Sequence, residues 1–419
     1  GAFCWAHFEA IGQVYLSELA LAGLLPFLLL LRGRLLRSRT VFLTLALIGL
    51  WLGGQIATDI VRETPFYDYA RGWANIALFL VVVCSPYLLL HGSRRRFVLF
   101  ALGLALGQIL TPWLAPSPYA EEYPWKFGIS QGAALLAVLA PLWRPIRRFP
   151  VFALAPLLAI SAYSLVTGFR SLFACGLIAA LYVVAQRSLP HRPSDSKPKP
   201  SFPAIMGLFA LSLLAGLATL QIYHYSAREG WMDERSLRVF ERQSQGGLGI
   251  LPGGRTAMFA SVPAILDSPI IGHGSKAKNP KLATRALDAR RWGYEAIPSS
   301  SSYTHLIPSH SMLFGAWVEA GVLGIFFWIW FLLLIAMVLA GLFRHREPLS
   351  LLIFYLGASY LWHIPFSPFG GGVRLTTAFT LCLFIVAWQV LRHAAKQRTA
   401  PTGAQDHHAL DLRIQGSEG

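Results

Sequence analysis

Apolar residues fall into long runs over most of this chain, each closed by charges or by Pro and Gly, and one stretch breaks the rhythm. The runs lie near 13–31, 40–57, 73–91, 97–115, 126–143, 150–167, 171–187, 203–222, 311–341, 348–364 and 375–391. As helices they are long enough to cross a hydrocarbon layer. A membrane β-barrel needs shorter segments of alternating polarity, and no such segments appear. The pattern predicts an all-α polytopic membrane protein of about eleven spans, interrupted between roughly Leu220 and Ile325 by one long polar loop with short helices of its own.

Charge placement predicts orientation, because cationic loops stay cytoplasmic during insertion. Arg32, Arg34, Arg37 and Arg39 follow the first run, Arg94 to Arg96 the third, Arg144, Arg147 and Arg148 the fifth, and Arg344 and Arg346 the ninth. The intervening connections carry acids such as Asp59, Glu63, Asp68, Glu121 and Glu122, or are short. Strict alternation puts the C-terminus inside, and the N-terminus and the long loop outside. The chain opens at Gly1, and an additional upstream span would complete a twelve-span parent with both ends inside. The expected organisation is a front transmembrane bundle over 1–187, a Pro/Ser/Lys-rich cytoplasmic linker over 188–201, a span over 202–222, a periplasmic loop over 223–310, rear transmembrane helices over 311–395 and a disordered cytoplasmic tail over 396–419.

The net charge of +16 changes little in this picture, since most of the excess lies in the inner loops as a topology signal rather than as a nucleic-acid footprint. No P-loop, dinucleotide fingerprint or metal-ligand spacing is present, and the four cysteines form no close pair. No cofactor or metal is expected.

The outer loop is the exception to the charge rule. Bases outnumber acids between Arg228 and Arg291, where orientation gives no reason for them, and an anionic ligand would. Arg228 to Gln243 reads as an amphipathic surface helix, Gln245 to Gly254 as a Gly-rich turn, Thr256 to Leu266 as a helix closed before Pro269, and Ile270 to Gly274 as a tight bend.

Thr167-Gly168-Phe169-Arg170-Ser171, Gly254-Arg255-Thr256 with Asp267-Ser268-Pro269-Ile270-Ile271-Gly272-His273-Gly274, and Ser309-His310-Ser311 with Glu319-Ala320-Gly321-Val322-Leu323-Gly324 follow in order. The set resembles the signature of the O-antigen ligase and polymerase superfamily. In span count and loop position the resemblance covers nearly the whole chain; in motifs it is confined to about 170–325. Two positions depart from the family pattern: Phe169 stands where a Ser often precedes the Arg, and Ser311 where an Asn often follows the His. The resemblance implies an inner-membrane enzyme that takes a glycan from undecaprenyl diphosphate at the periplasmic face, without a metal, and passes it to a hydroxyl of lipid A-core or of another lipid-linked glycan.

The chemistry asks for the same residue types. Breaking an anomeric C–O bond to a diphosphate needs fixed cations on the leaving group, a role that suits Arg170 and Arg255, with Arg374 a secondary candidate. The acceptor hydroxyl needs a base titrating near neutrality, which points to His310. Removal of that proton during attack from the face opposite the diphosphate makes the enzyme inverting. Lys276, Lys278, Lys281, Arg290 and Arg291 are candidates for anionic lipid or sugar contacts, and His273 and His305 read as structural or solvent-facing. With 311–341 as one helix, Glu319 would sit roughly 13 Å deeper than His310. Each residue also has a plainer role open to it: interfacial snorkelling for Arg170, helix capping for His310, surface solvation for Arg255 and the lysines. A ligase and a polymerase would use the same base and cations, and the single basic outer loop favours the ligase. A transporter or flippase, with the loop as a lid and Glu319 on an ion path, is the reading from another class.

Overall fold

The structure is a computed structural model that describes all residues except 1, 3, 11, 144–152, 189–201, 233, 245–257, 283–304, 344–346 and 398–419. The linker, nearly all of the tail and the Gly-rich turn foreseen from the sequence lie outside the described residues. The regular elements of the rest are helices apart from a short antiparallel hairpin, His7–Ala10 with Gly12–Tyr15, that the hydropathy pattern did not foresee.

The first three helices are α1 Leu16–Arg32, α2 Arg39–Val61 and α3 Phe66–Leu90. They are followed by α4 Arg94–Leu114, α5 Pro118–Glu122 and α6 Ser130–Leu139, which a π-turn over Trp125–Ile129 precedes. Next come α7 Ala155–Val166, α8 Arg170–Ser188 and α9 Phe202–Arg228. The loop region contributes α10 Glu234–Ser244, α11 Met258–Asp267 and α12 Met312–Ala320. The chain closes with α13 Val322–Leu342, α14 Ser350–Phe366 and α15 Gly371–Gln397. Among the described residues, eight helical segments are long and apolar enough to cross a membrane, and α7 and α14 are shorter apolar helices. The chain is a multi-pass helical membrane protein.

Boundaries follow local chemistry. Ser93 caps α4, its hydroxyl accepting from Arg96 N, and Ser311 caps α12 in the same way from Phe314 N at 3.0 Å. Pro365 sits in the last turn of α14, where the helix ends at Phe366. α9 runs on to Arg228, past the expected end of its span, because Gln221 to Arg228 keep a helical pattern beyond the apolar part.

Front and rear helices share one core. α8 packs along α14, α13 along α2, and α15 along α3. At the centre Trp51 of α2, Phe79 of α3, Phe327 and Trp328 of α13, and Phe369 between α14 and α15 form a ring cluster with centroids 4.9–6.0 Å apart. In lipid there is little hydrophobic drive between helices, so such interlocked contact and dispersion carry the association. The exposed leucines and phenylalanines, among them Phe27, Leu30 and Phe42, face outward as a lipid-contacting surface.

The bundle has two ends. One carries Arg32, Arg34 and Arg94 to Arg96; the other carries the hairpin, the end of α2 and the long polar segment. At this second end α11, Ala277, Leu282, Ile307 and Val318 form a small apolar core of their own, with Phe314 and Trp317 against it. The chain is tied back to itself beside this core: Asn279 N donates to His305 O at 2.8 Å and Ile307 N to Ala277 O at 2.9 Å.

Candidate functional site

The apolar run 311–341, expected as one span, is two helices. Gly321, at φ 65° and ψ −159°, breaks it in a region open essentially only to glycine. The cause is the packing of another segment into the gap: a Cβ on Gly321 would lie 2.0 Å from Ile270 O. Val322 N donates to Ile270 O, His273 N to Val318 O at 2.7 Å, and Gly274 N to Glu319 O at 3.1 Å. The Asp267–Gly274 and Glu319–Gly324 motifs therefore meet through their main chains. Gly272, at φ 79°, permits the bend, and a Cβ there would come within 2.5 Å of Gly321 N.

The last turns of α2 hold this joint from below. Thr58 Oγ1 donates to Ile271 O, Arg62 Nε to Gly272 O at 2.9 Å, and Arg62 Nη2 to Ser268 Oγ at 2.6 Å. Asp59, only 1% exposed, accepts from Ser275 N at 2.6 Å, Ser275 Oγ at 2.7 Å, Trp73 Nε1 at 2.8 Å and Gln55 Nε2 at 3.3 Å. From the sequence, Asp59 counts only as an acid in an outer connection. Gln55 and Asp59, four residues apart in an otherwise apolar span, are the signal that marks a buried polar hub.

Glu319 belongs to this end rather than deep in the bundle, because α12 is a separate helix lying against α2, α11 and α14. Its Oε1 accepts from Lys276 N at 3.2 Å. Burial pushes its carboxyl up to about 7, with Lys276 pulling in the other direction. Lys276 is exposed, and Lys278 pairs with Asp68. Arg290 and Arg291 lie outside the described residues.

His310 is exposed and directly precedes the cap of α12. Ser311 keeps the capping function that an Asn at that position would also serve, and its hydroxyl donates to Ile364 O at 3.1 Å, fixing the helix start to the end of α14. Arg170 is the first residue of α8, and its guanidinium lies 4.7 Å from the centroid of the Tyr223 ring. The preceding turn abuts α10, whose Leu237 and Phe240 pack on Tyr223 and Met232 of the protein itself; the surface helix expected over Arg228 to Gln243 is shorter, because Arg228 still belongs to α9.

Arg170 and His310 reach the same level of the molecule. α8 and α14 are antiparallel: Tyr182 stacks on Phe354, and the Cys175 thiol lies beside Ser359. From the Cys175–Ser359 pair, about 7.5 Å along each helix leads to Arg170 on one and Ile364 on the other. Ile364 is the residue whose carbonyl holds Ser311.

Two other expectations come out differently or lie elsewhere. Arg374, expected as a secondary diphosphate contact, is 3% exposed in the interior. Its Nε and Nη2 donate to the two oxygens of Glu18, each at 2.7 Å, Nη1 to Asn75 Oδ1 and Nη2 also to Gln13 O. Its fork is taken up by protein groups, so it ties the hairpin and α1 to α15 instead of facing a ligand. Arg255 lies outside the described residues. His273 is structural as expected, its Nε2 2.8 Å from Ala264 O, and His305 is exposed.

Against known proteins, the chain matches no family model, no curated protein and no solved structure. What stands on geometry is an exposed imidazole and a guanidinium at one level of one bundle end, beside a motif joint built from main chain. An imidazole there can accept a proton, and a guanidinium can hold an anionic oxygen.

Proposed function

We propose that the chain is an inner-membrane glycosyltransferase of the O-antigen ligase type, moving a glycan from undecaprenyl diphosphate to an acceptor sugar hydroxyl at the periplasmic face. In this reading the chain crosses the membrane eleven times, with the loop end periplasmic. The observation that supports it is the register of α8 on α14, which puts the start of α8 at Arg170 and the Ser311 cap next to His310 toward the same end of the bundle. The motif order supports it, since Asp267–Gly274 and Glu319–Gly324 are packed together.

Arg170, with Arg255, neutralises charge gathering on the departing diphosphate, while His310 takes the acceptor proton as the new glycosidic bond forms and the anomeric centre inverts. Asp59 and Glu319 act through position, by holding the main chain that leads to these groups. Lys276 is available to an anionic acceptor, whereas Lys278 must first leave Asp68.

The test is purified protein with an undecaprenyl-diphosphate-linked oligosaccharide, with and without lipopolysaccharide core, products being followed by gel mobility. Core-dependent product supports the ligase, and a ladder of longer lipid-linked chains without core supports the polymerase of the same superfamily. No product from active donor and folded protein overturns both. His310→Ala is expected to lose about 10²- to 10⁴-fold in rate, and Arg170→Ala about 10²- to 10³-fold, at unchanged abundance.

A further inference from the structure

At the opposite end of the bundle, α1 has carried the chain about 21 Å from Glu18 to Arg32. There a groove of about 950 Å³ opens between the end of α1, the short turn over Gly33–Arg37 and the α3–α4 connection. Its walls hold Arg32, Arg34, Arg37, Arg96 and His91, and none of its lining residues is acidic. Topology alone asks for cations in these loops but not for their convergence on one cavity. Arg32 Nη1 donates to Leu88 O at 3.2 Å and Arg96 Nη1 to Leu89 O at 3.0 Å, which fixes two of the four guanidinium groups in the wall. Arg34 and Arg37 are exposed beside them. Leu30 and Leu31, 87% and 80% exposed, continue the groove onto the lipid-facing side of α1. His91 Nδ1 is buried without a hydrogen-bond partner among the described residues.

We propose that this groove binds the phosphate-bearing headgroup of an anionic membrane lipid, with the acyl chains lying along Leu30 and Leu31. Four guanidinium groups supply forked donors for phosphate oxygens, and the adjoining leucines supply the apolar surface that a free phosphate would not use. Burial and then Arg32 hold the His91 imidazole below its ordinary range, and an anion in the groove opposes the second effect. The site is independent of the glycosyl-transfer reading.

The experiment is native mass spectrometry of the full chain, delipidated in detergent and titrated separately with phosphatidylglycerol, phosphatidylcholine and inorganic phosphate. Phosphatidylglycerol is expected to be retained about tenfold or more over phosphatidylcholine. Arg34→Ala with Arg37→Ala should weaken it about 25-fold, from about fivefold for each basic side chain near an anionic surface. A second variant leaves the charges alone: Gly33 lines the groove and a Cβ there meets nothing within 4 Å at φ −56°, so Gly33→Phe adds a ring at the groove without a backbone clash. It should lose the lipid while keeping the melting temperature of the lipid-free protein. Equal retention of the two lipids, wild-type binding in both variants, or inorganic phosphate binding as tightly as the lipid would each overturn the proposal.

Discussion

Glu18 and Asp59 are both carboxylates removed from solvent at the same end of the bundle, and they are satisfied in opposite ways. Glu18 meets a guanidinium face to face, giving a neutral pair that joins α1 to α15. Asp59 collects four hydrogen bonds from neutral donors, one of them the main-chain amide of Ser275. A desolvated ion pair is costly to break from one side, so the first arrangement is a permanent fastening. The second uses its two oxygens as acceptors that orient a loop. The difference separates what holds the bundle together from what sets the position of the motif joint.

The most severe way to break the contrast is Arg374→Ala, which strands Glu18 in the interior. A loss of about 3–5 kcal/mol is expected, read as a large fall in melting temperature in detergent. Glu18→Met with Arg374→Leu should recover most of it, and glycan transfer by this double variant would show that Arg374 serves the fold alone. Asp59→Asn comes next, because replacing one acceptor oxygen by a donor leaves one of the four neutral groups unmatched, at about 1–3 kcal/mol. Its effect should be local: hydrogen exchange at Gly274 and Ser275 speeds up while the helices stay protected. Equal deprotection of α1 and α15 would show that both carboxylates are global fastenings.

A third test sharpens the comparison through pH. Glu319 has its carboxyl pushed up to about 7 in the folded protein, so the folded state holds that proton where the unfolded chain has released it. Its contribution to stability is present below the ordinary carboxyl value near 4.5, falls as pH rises, and is gone above about 7. Glu319→Gln keeps an oxygen for Lys276 N and cannot ionise. The melting temperature of the wild type relative to this variant should therefore drop between pH 4.5 and 8. A difference that does not vary over that range would refute the assignment.

Much of the architecture was legible because a lipid-facing helix must be apolar for its full length and its end loops must be charged. The same averaging hid the break at Gly321, since Met312 to Leu342 is apolar on both sides of it and only the arrival of Ile270 explains it. The Glu18–Arg374 pair spans 356 positions, and nothing local announces it. His310 and Arg170 were legible as residue types in a motif order. Their common level was not, because it depends on the antiparallel register of α8 on α14. Asp59 left a trace in its spacing from Gln55, but its partner Ser275 is 216 positions away.

The return of the chain at His305 to the residue it left at Asn279 has a consequence for how such a protein can diversify. Because the two ends are already tied, the length of the stretch between them enters stability only logarithmically, at about 0.6 kcal/mol for each doubling. Leu282 still packs in the small apolar core, so the stretch whose length is cheap to change begins after it. Residues can therefore be added or removed between 283 and 304 at small cost to the fold, and the sequence there is free to change while the helices below assemble as before.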